Sequence, residues 1–213
     1  MVVGGHEGKR TYGGRTAEER RQDQHARLRD AARSVFAASG YANASIEEIV
    51  AGARVSRSTF YAFFATKEDC LLDVFWHDSE RLLDALREVA ERDIEVVDKV
   101  RAGAHTFVET LASDPEMAQV ILIEAVGASE RVEQARARVR GLFTALIADQ
   151  LTEIELWSDR PAEAQLAAMA TMAAMAELVS HLVATGRLDE WRSLVEPLER
   201  FALRALGPDL LDG

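Results

Sequence analysis

The residues from Ser45 to Lys67, SIEEIVAGARVSRSTFYAFFATK, constrain this chain more than any other stretch. Ser45 followed three residues later by Glu48 is a capping box. The hydroxyl satisfies the amide of the third helical residue and the carboxylate returns to the amide of the cap, so a helix begins at Ile46. Ile46, Ile49, Val50 and Ala53 then share its buried face. Val55 plugs the turn, and Ser56 is the N-cap of a second helix over 57–64. A helix of that length does not hold itself, so Phe60, Phe63 and Phe64 must pin it to a domain. Arg57, Ser58, Thr59 and Tyr61 remain on the outer side, where a phosphate backbone and base edges can lie. The spacing is that of a helix-turn-helix. Thr66-Lys67-Glu68-Asp69 is a further capping signature that opens the next helix.

The net charge of −11 looks wrong for a nucleic-acid binder until its distribution is read. Residues 1–65 hold ten Lys and Arg against seven Asp and Glu, a net of +3. The remainder holds fifteen against twenty-nine, a net of −14. A mildly basic amino-terminal part can meet phosphates while an acidic body opposes indiscriminate binding. The 213 residues, 48% hydrophobic with only four Pro and abundant Ala, suit an all-α protein with close helix contacts. A single cysteine, Cys70, allows no intramolecular disulfide and fits a reducing cytoplasm; it is expected to be a small buried hydrophobe. No apolar run approaches the ~18 residues of a membrane span, and the Gly-rich start lacks the apolar core of a signal peptide. The expected location is cytoplasmic, without membrane contact.

Periodicity divides the chain into three parts. Residues 1–16, rich in Gly with Lys9, Arg10 and Arg15, read as a flexible basic arm. Residues 17–65 form the helix-turn-helix domain of three helices, the first from about Ala17 to Ser39 with Gly40 as its stop. Residues 66–213 form a helical body. Its segments start at Thr66 and then run over about 94–112, 115–126, 130–156, 162–185 and 190–206, the last interrupted or bent near Pro197. The total is about nine helices and no strand. The segment after Pro161 is apolar nearly all round, with Ala170, Ala173 and Ala174 among Leu166, Met169, Met172 and Leu178, so it needs cover on more than one side.

The run V-S-R-S-T-F-Y-A-F-F-A-T-K-E-D, preceded by A-A-R-S-V-F-A-A-S-G-Y at Ala31–Tyr41, resembles the DNA-binding segment of TetR-family transcriptional regulators. The resemblance spans roughly residues 22 to 75. It implies an amino-terminal helix-turn-helix domain on a carboxy-terminal body that binds an effector and dimerises. Double-stranded DNA with a palindromic operator, a small hydrophobic effector and a second copy of the chain would be its partners, and repression its usual outcome. Tyr61 and Lys67 are similar in position to family residues that touch the DNA backbone, and Ser45, Ser56, Arg57, Ser58 and Thr59 complete the expected DNA-binding set. Phe75, His105, Met117, Phe143 and Met172 are the candidates for the effector pocket. Ala170, Ala173, Ala174 and Trp191 are the candidates for dimerisation, because the family's last two helices pair across two subunits. One departure stands out: Ala53 is followed by Arg54 where the family usually has Gly, so either Arg54 takes a strained conformation or the helix ends differently.

No enzyme signature is present: no G-x-S-x-G, H-E-x-x-H, paired C-x-x-C or phosphate-binding Gly-rich loop. The five histidines are scattered, so no metal site, cofactor or catalytic residue is expected. Glu109 and Glu124 lie on otherwise apolar stretches and read as exposed. Two other readings stay open, an architectural DNA-binding protein without effector and an all-helical enzyme.

Overall fold

Capping chemistry sets where the helices begin. In the computed structural model, which describes residues 16–207, Ser45 accepts the Glu48 amide and Thr66 the Asp69 amide, each answered by the carboxylate three residues on. Thr16 and Glu19 make a third such box at the start of the first helix. Among the described residues there are ten α-helices and no strand. They are α1 (Ala17–Ser39), α2 (Ile46–Ala53), α3 (Arg57–Phe63), α4 (Lys67–Ala90), α5 (Val96–Ser113), α6 (Pro115–Gln119), α7 (Glu130–Leu151), α8 (Glu155–Ser158), α9 (Pro161–Ala184) and α10 (Arg192–Leu206). The basic arm expected over 1–16 lies outside the described residues except for Thr16.

The amino-terminal core is built from Leu28, Ala32 and Phe36 of α1, Ile49 and Ala53 of α2, and Phe60 and Phe64 around α3, all buried. Helices α1 and α2 approach closely at Gly52, where a Cβ would stand 3.2 Å from that of Ala31. Burial of Leu71, Val74 and Phe75 joins α4 to the same core, which continues into the body through Phe107, Val108 and Met117. Cys70 is wholly buried here, and burial, with Asp73 and Asp69 nearby, pushes its thiol far up, so it packs as an inert apolar group.

Three segments differ from the periodic reading. The run expected as one helix over 115–126 is α6 followed by a π-helical turn at Val120–Glu124, where the Ala125 amide reaches back to the Val120 carbonyl. The helix expected to reach residue 156 stops at Leu151, and a single turn, α8, intervenes before α9. The final helix is continuous through Pro197. The expectation that no segment has membrane length needs amendment: α9 is long and apolar enough to cross a bilayer by length and composition, with mean hydropathy 1.6 over its most apolar 18 residues.

Candidate DNA-binding face and effector cavity

Helix α3 is held from within by its aromatic side and leaves a polar outer side. Ser56 caps it through the Thr59 amide at 3.1 Å and also meets the hydroxyls of Ser58 and Thr59 at 2.8 Å. Phe60 is fully buried, while Phe63 stacks on His25 of α1 with ring centres 5.3 Å apart. Arg57, Ser58 and Tyr61 are exposed together, and Thr59 is half-buried beside them. The Arg57 guanidinium is ion-paired with Glu47 of α2 and lies 3.3 Å from the Tyr61 hydroxyl. The α2 carboxylate thus holds Arg57 in place on the outer surface.

The turn before α3 resolves the question raised by Arg54. That residue takes the left-handed conformation, φ 54° and ψ 47°, as a glycine would. The guanidinium of Arg27 on α1 caps the same helix end, bonding the carbonyls of Ala53 and Arg54. Lys67, expected to meet the DNA backbone, is bonded within the domain. Its ammonium donates to the carbonyls of Tyr41, Ala42 and Ala44 at 2.7, 3.3 and 2.8 Å and lies over the Tyr41 ring. With three acceptors for three hydrogens, Lys67 fastens the α1–α2 corner. Ser45 is likewise occupied as a cap.

The helix-turn-helix is tied to the body by charges that come from three elements. Arg33 of α1 reaches Asp78 of α4 at 2.9 Å and Asp114, the cap of α6, at 3.5 Å; Arg81 reaches Asp114 at 3.0 Å. Asp78 is fully buried, and that burial raises its carboxyl to about 6 despite the two arginines. Beside this cluster, Ser34 donates to Glu116 at 2.8 Å. Glu124, expected to be exposed, is half-buried: it accepts the Tyr41 amide at 2.8 Å and lies where a side chain at Gly40, φ 80°, would intrude. The π-helical turn is what brings this carboxylate to the exit of α1.

Behind α4 the body holds an apolar cavity with about 690 Å³ of empty space, its open mouth included. Leu86, Val89 and Ala90 at the end of α4 form one wall; α5, α7, α9 and α10 supply the others. Of the five pocket residues expected from sequence, Phe143 and Met172 line it. Phe75 and Met117 are instead buried in the continuous core. His105 is outside the cavity lining, set edge-on against Trp191 with 5.8 Å between ring centres and 3.5 Å from Glu109. Sequence reasoning missed Thr171 and Lys99 on the wall, one inside an apolar helix and one read only as charge.

The outward side of α9 presents Leu166, Met169 and Leu178, with Ala170 and Ala173 exposed between them and Ala174 half-buried. Phe201 of α10 is exposed as well. Trp191, expected at this surface, is half-buried and turned to His105. Among the described residues no three His, Cys, Asp or Glu side chains are grouped as a metal site would require.

Comparison with known proteins places this geometry. Residues 28–74 match the family model for bacterial regulatory proteins, tetR family. The fold is similar to that of the fatty acid degradation regulator FadR from Bacillus halodurans, with a TM-score of 0.76 and 24% identity over 84% of this chain and 94% of that one. A tetR-family regulatory protein from Rhodococcus RHA1 is 25% identical with a TM-score of 0.72, covering 86% of this chain and 97% of its own. The transcriptional regulator FadR from Bacillus subtilis, solved in complex with stearoyl-CoA, is 21% identical with a TM-score of 0.71, covering 82% and 97%.

Proposed function

We propose that this chain, a TetR-family transcriptional regulator, works in the cytoplasm as a homodimeric repressor that holds a palindromic operator and releases it when a small hydrophobic effector fills the cavity behind α4. The carrying observation is the reach of α4. Its 24 residues span roughly 36 Å at 1.5 Å per residue. At the first turn Lys67 grips the α1–α2 corner, and at the last turns Leu86, Val89 and Ala90 wall the cavity. An effector that displaces the cavity end of a stiff helix must move the other end or strain it, and Arg33–Asp78 carries the same motion to α1. A hundredfold loss of operator affinity needs ~2.7 kcal/mol of differential effector binding between the two states.

Dimerisation is supported by the exposed apolar side of α9, which in isolation is a large hydrophobic liability. Ala170 and Ala173 lower its profile enough for another helix to approach closely. Two α3 surfaces fixed at one separation would then read two half-sites. The bound stearoyl-CoA of the Bacillus subtilis regulator supports an effector with a long apolar part.

The test is selection of bound fragments from random genomic DNA, followed by operator release across a panel of acyl, steroid and aromatic compounds. A short palindrome released by one compound class is the expected result. Diffuse binding that no compound alters would replace this reading with an architectural one.

A further inference from the structure

Thr171 is out of keeping with the cavity it lines. It is 1% exposed, its hydroxyl has no hydrogen-bond partner, and the wall around it is formed by Phe107, Phe143 and Met172. A threonine in a helix can return its hydroxyl to the carbonyl one turn back, and this one does not. A buried hydroxyl with no acceptor is unfavourable where it stands, and becomes favourable if a ligand brings an oxygen to it.

The second polar point is at the other end. Lys99 lines the cavity with its side chain 13% exposed, and its ammonium is 3.0 Å from the Gln150 amide oxygen and 3.6 Å from Glu153. Glu153 is 53% exposed and can swing into water, which frees the ammonium for an anion that enters beside it. Gln150 also lines the wall, and its amide nitrogen supplies further donors. The two polar points are well separated. Gln150 adjoins Leu151, which packs in one cluster with Ala164 near the start of α9. Thr171 lies seven residues farther along that helix, roughly 10 Å by its rise.

We propose that the cavity binds a single-chain anionic amphiphile that carries an oxygen part way along its chain. The anionic head pairs with Lys99 and Gln150, the chain runs inward over apolar wall, and the mid-chain oxygen meets the Thr171 hydroxyl. The proposal rests on the effector reading above and adds the chemical class.

Titration calorimetry on the full chain tests it with palmitate, hexadecan-1-ol and a positional series of monohydroxypalmitates. A mid-chain hydroxyl should improve binding over palmitate by about tenfold, the size of one hydrogen bond to a buried partner. A hydroxyl beside the head or at the chain end should add nothing. Thr171→Val should bind palmitate and its mid-chain hydroxylated form alike, erasing the tenfold ratio between them, whereas Lys99→Met should bring the acids down to the level of the alcohol. Equal binding of palmitate and all its hydroxylated forms overturns the proposal, as does an acid that binds no better than the alcohol. Operator affinity measured with the same ligands separates the two ideas. Palmitate that releases the operator with no hydroxyl preference leaves the effector reading standing, and preferred binding that leaves operator affinity untouched removes the effector reading alone.

Discussion

The ammonium of Lys67 lies 2.7 Å from the carbonyl oxygen of Tyr41 and 4.6 Å from the centre of the same residue's ring. One side chain from the first turn of α4 therefore closes the corner between α1 and α2, and the orientation of α3 depends on it through α2. Lys67→Met should destabilise the domain by about 1–2 kcal/mol, since charge-assisted bonds to carbonyls are lost at a half-exposed site that water can partly refill. Operator affinity should fall with it. The salt dependence of binding decides between this role and a phosphate contact. A lost phosphate contact would lower the slope of log affinity against log salt by about one; an unchanged slope is expected here.

Arg54 is the one residue other than glycine with positive φ among those described. A left-handed side-chain-bearing residue costs roughly 1–2 kcal/mol, partly offset when glycine is used because glycine loses more freedom on folding. Arg54→Gly is expected to stabilise the protein by about 0.5–1 kcal/mol, and Arg54→Val to destabilise it by more than that. Urea unfolding of the two variants measures both. The Arg27 guanidinium bonds the Arg54 backbone carbonyl, so the glycine variant keeps that cap.

How much of this was legible in the chain follows from how local each interaction is. The caps at Ser45, Ser56 and Thr66 involve residues three apart and were readable as pattern, and so was the anomaly at Arg54. The role of Lys67 was not, because its acceptors come from 23 to 26 residues away. The Arg33–Asp78–Asp114 cluster draws on three helices, and nothing in any one of them marks Asp78 as buried. Periodicity told which side of a helix faces inward without telling which neighbour it meets. Met117 and Met172 looked alike in sequence, yet one fills core and the other lines a cavity.

Glu47 and Arg57 are paired across α2 and α3 on the proposed DNA side. On binding, Arg57 must exchange a carboxylate for a base edge or phosphate, while Glu47 opposes any phosphate that approaches. Arg57→Ala should weaken operator binding by ~1–3 kcal/mol if the side chain makes a bidentate base contact. Glu47→Gln should raise affinity for unrelated DNA more than for the operator, and so lower the specificity ratio. Competition binding at physiological salt measures both; an Arg57→Ala protein with unchanged operator affinity would move the reading surface elsewhere.

Asp78 should give the protein a pH dependence opposite in sign to that of its capping carboxylates. Burial lifts its carboxyl to about 6, against about 4 in an unfolded chain. Between those values the native state holds the proton and the unfolded state does not, so this group's contribution falls as pH rises from about 4 to 6, by roughly 3 kcal/mol in all. Asp69 behaves in reverse. The Thr66 hydroxyl, aided by Arg131, keeps its carboxyl low, so its contribution is lost as pH falls through the acid range. Asp78→Asn removes the first of these contributions. Its stability relative to the parent should therefore improve between pH 4 and pH 7 in urea titrations, and parallel curves for the two proteins would contradict the buried ionised state.

The exposed side of α9 yields the last prediction. Ala173 lies between Met169, 53% exposed, and Leu178, 42% exposed, on the outward side of α9. A second copy placing its own α9 and α10 there would bury these side chains at ~25 cal/mol per Å² of apolar area. Ala173→Arg puts a long cation into such an interface, where Glu177 one turn on offsets only part of its desolvation. Facing water in a monomer the same side chain is harmless, so the variant should stay folded, run as a monomer on sedimentation and lose operator affinity by the factor that two linked half-sites contribute. A variant that remains dimeric and binds its operator as before would assign the subunit contact to a different surface. A parent protein that sediments as a monomer would leave the apolar stripe without its proposed cover.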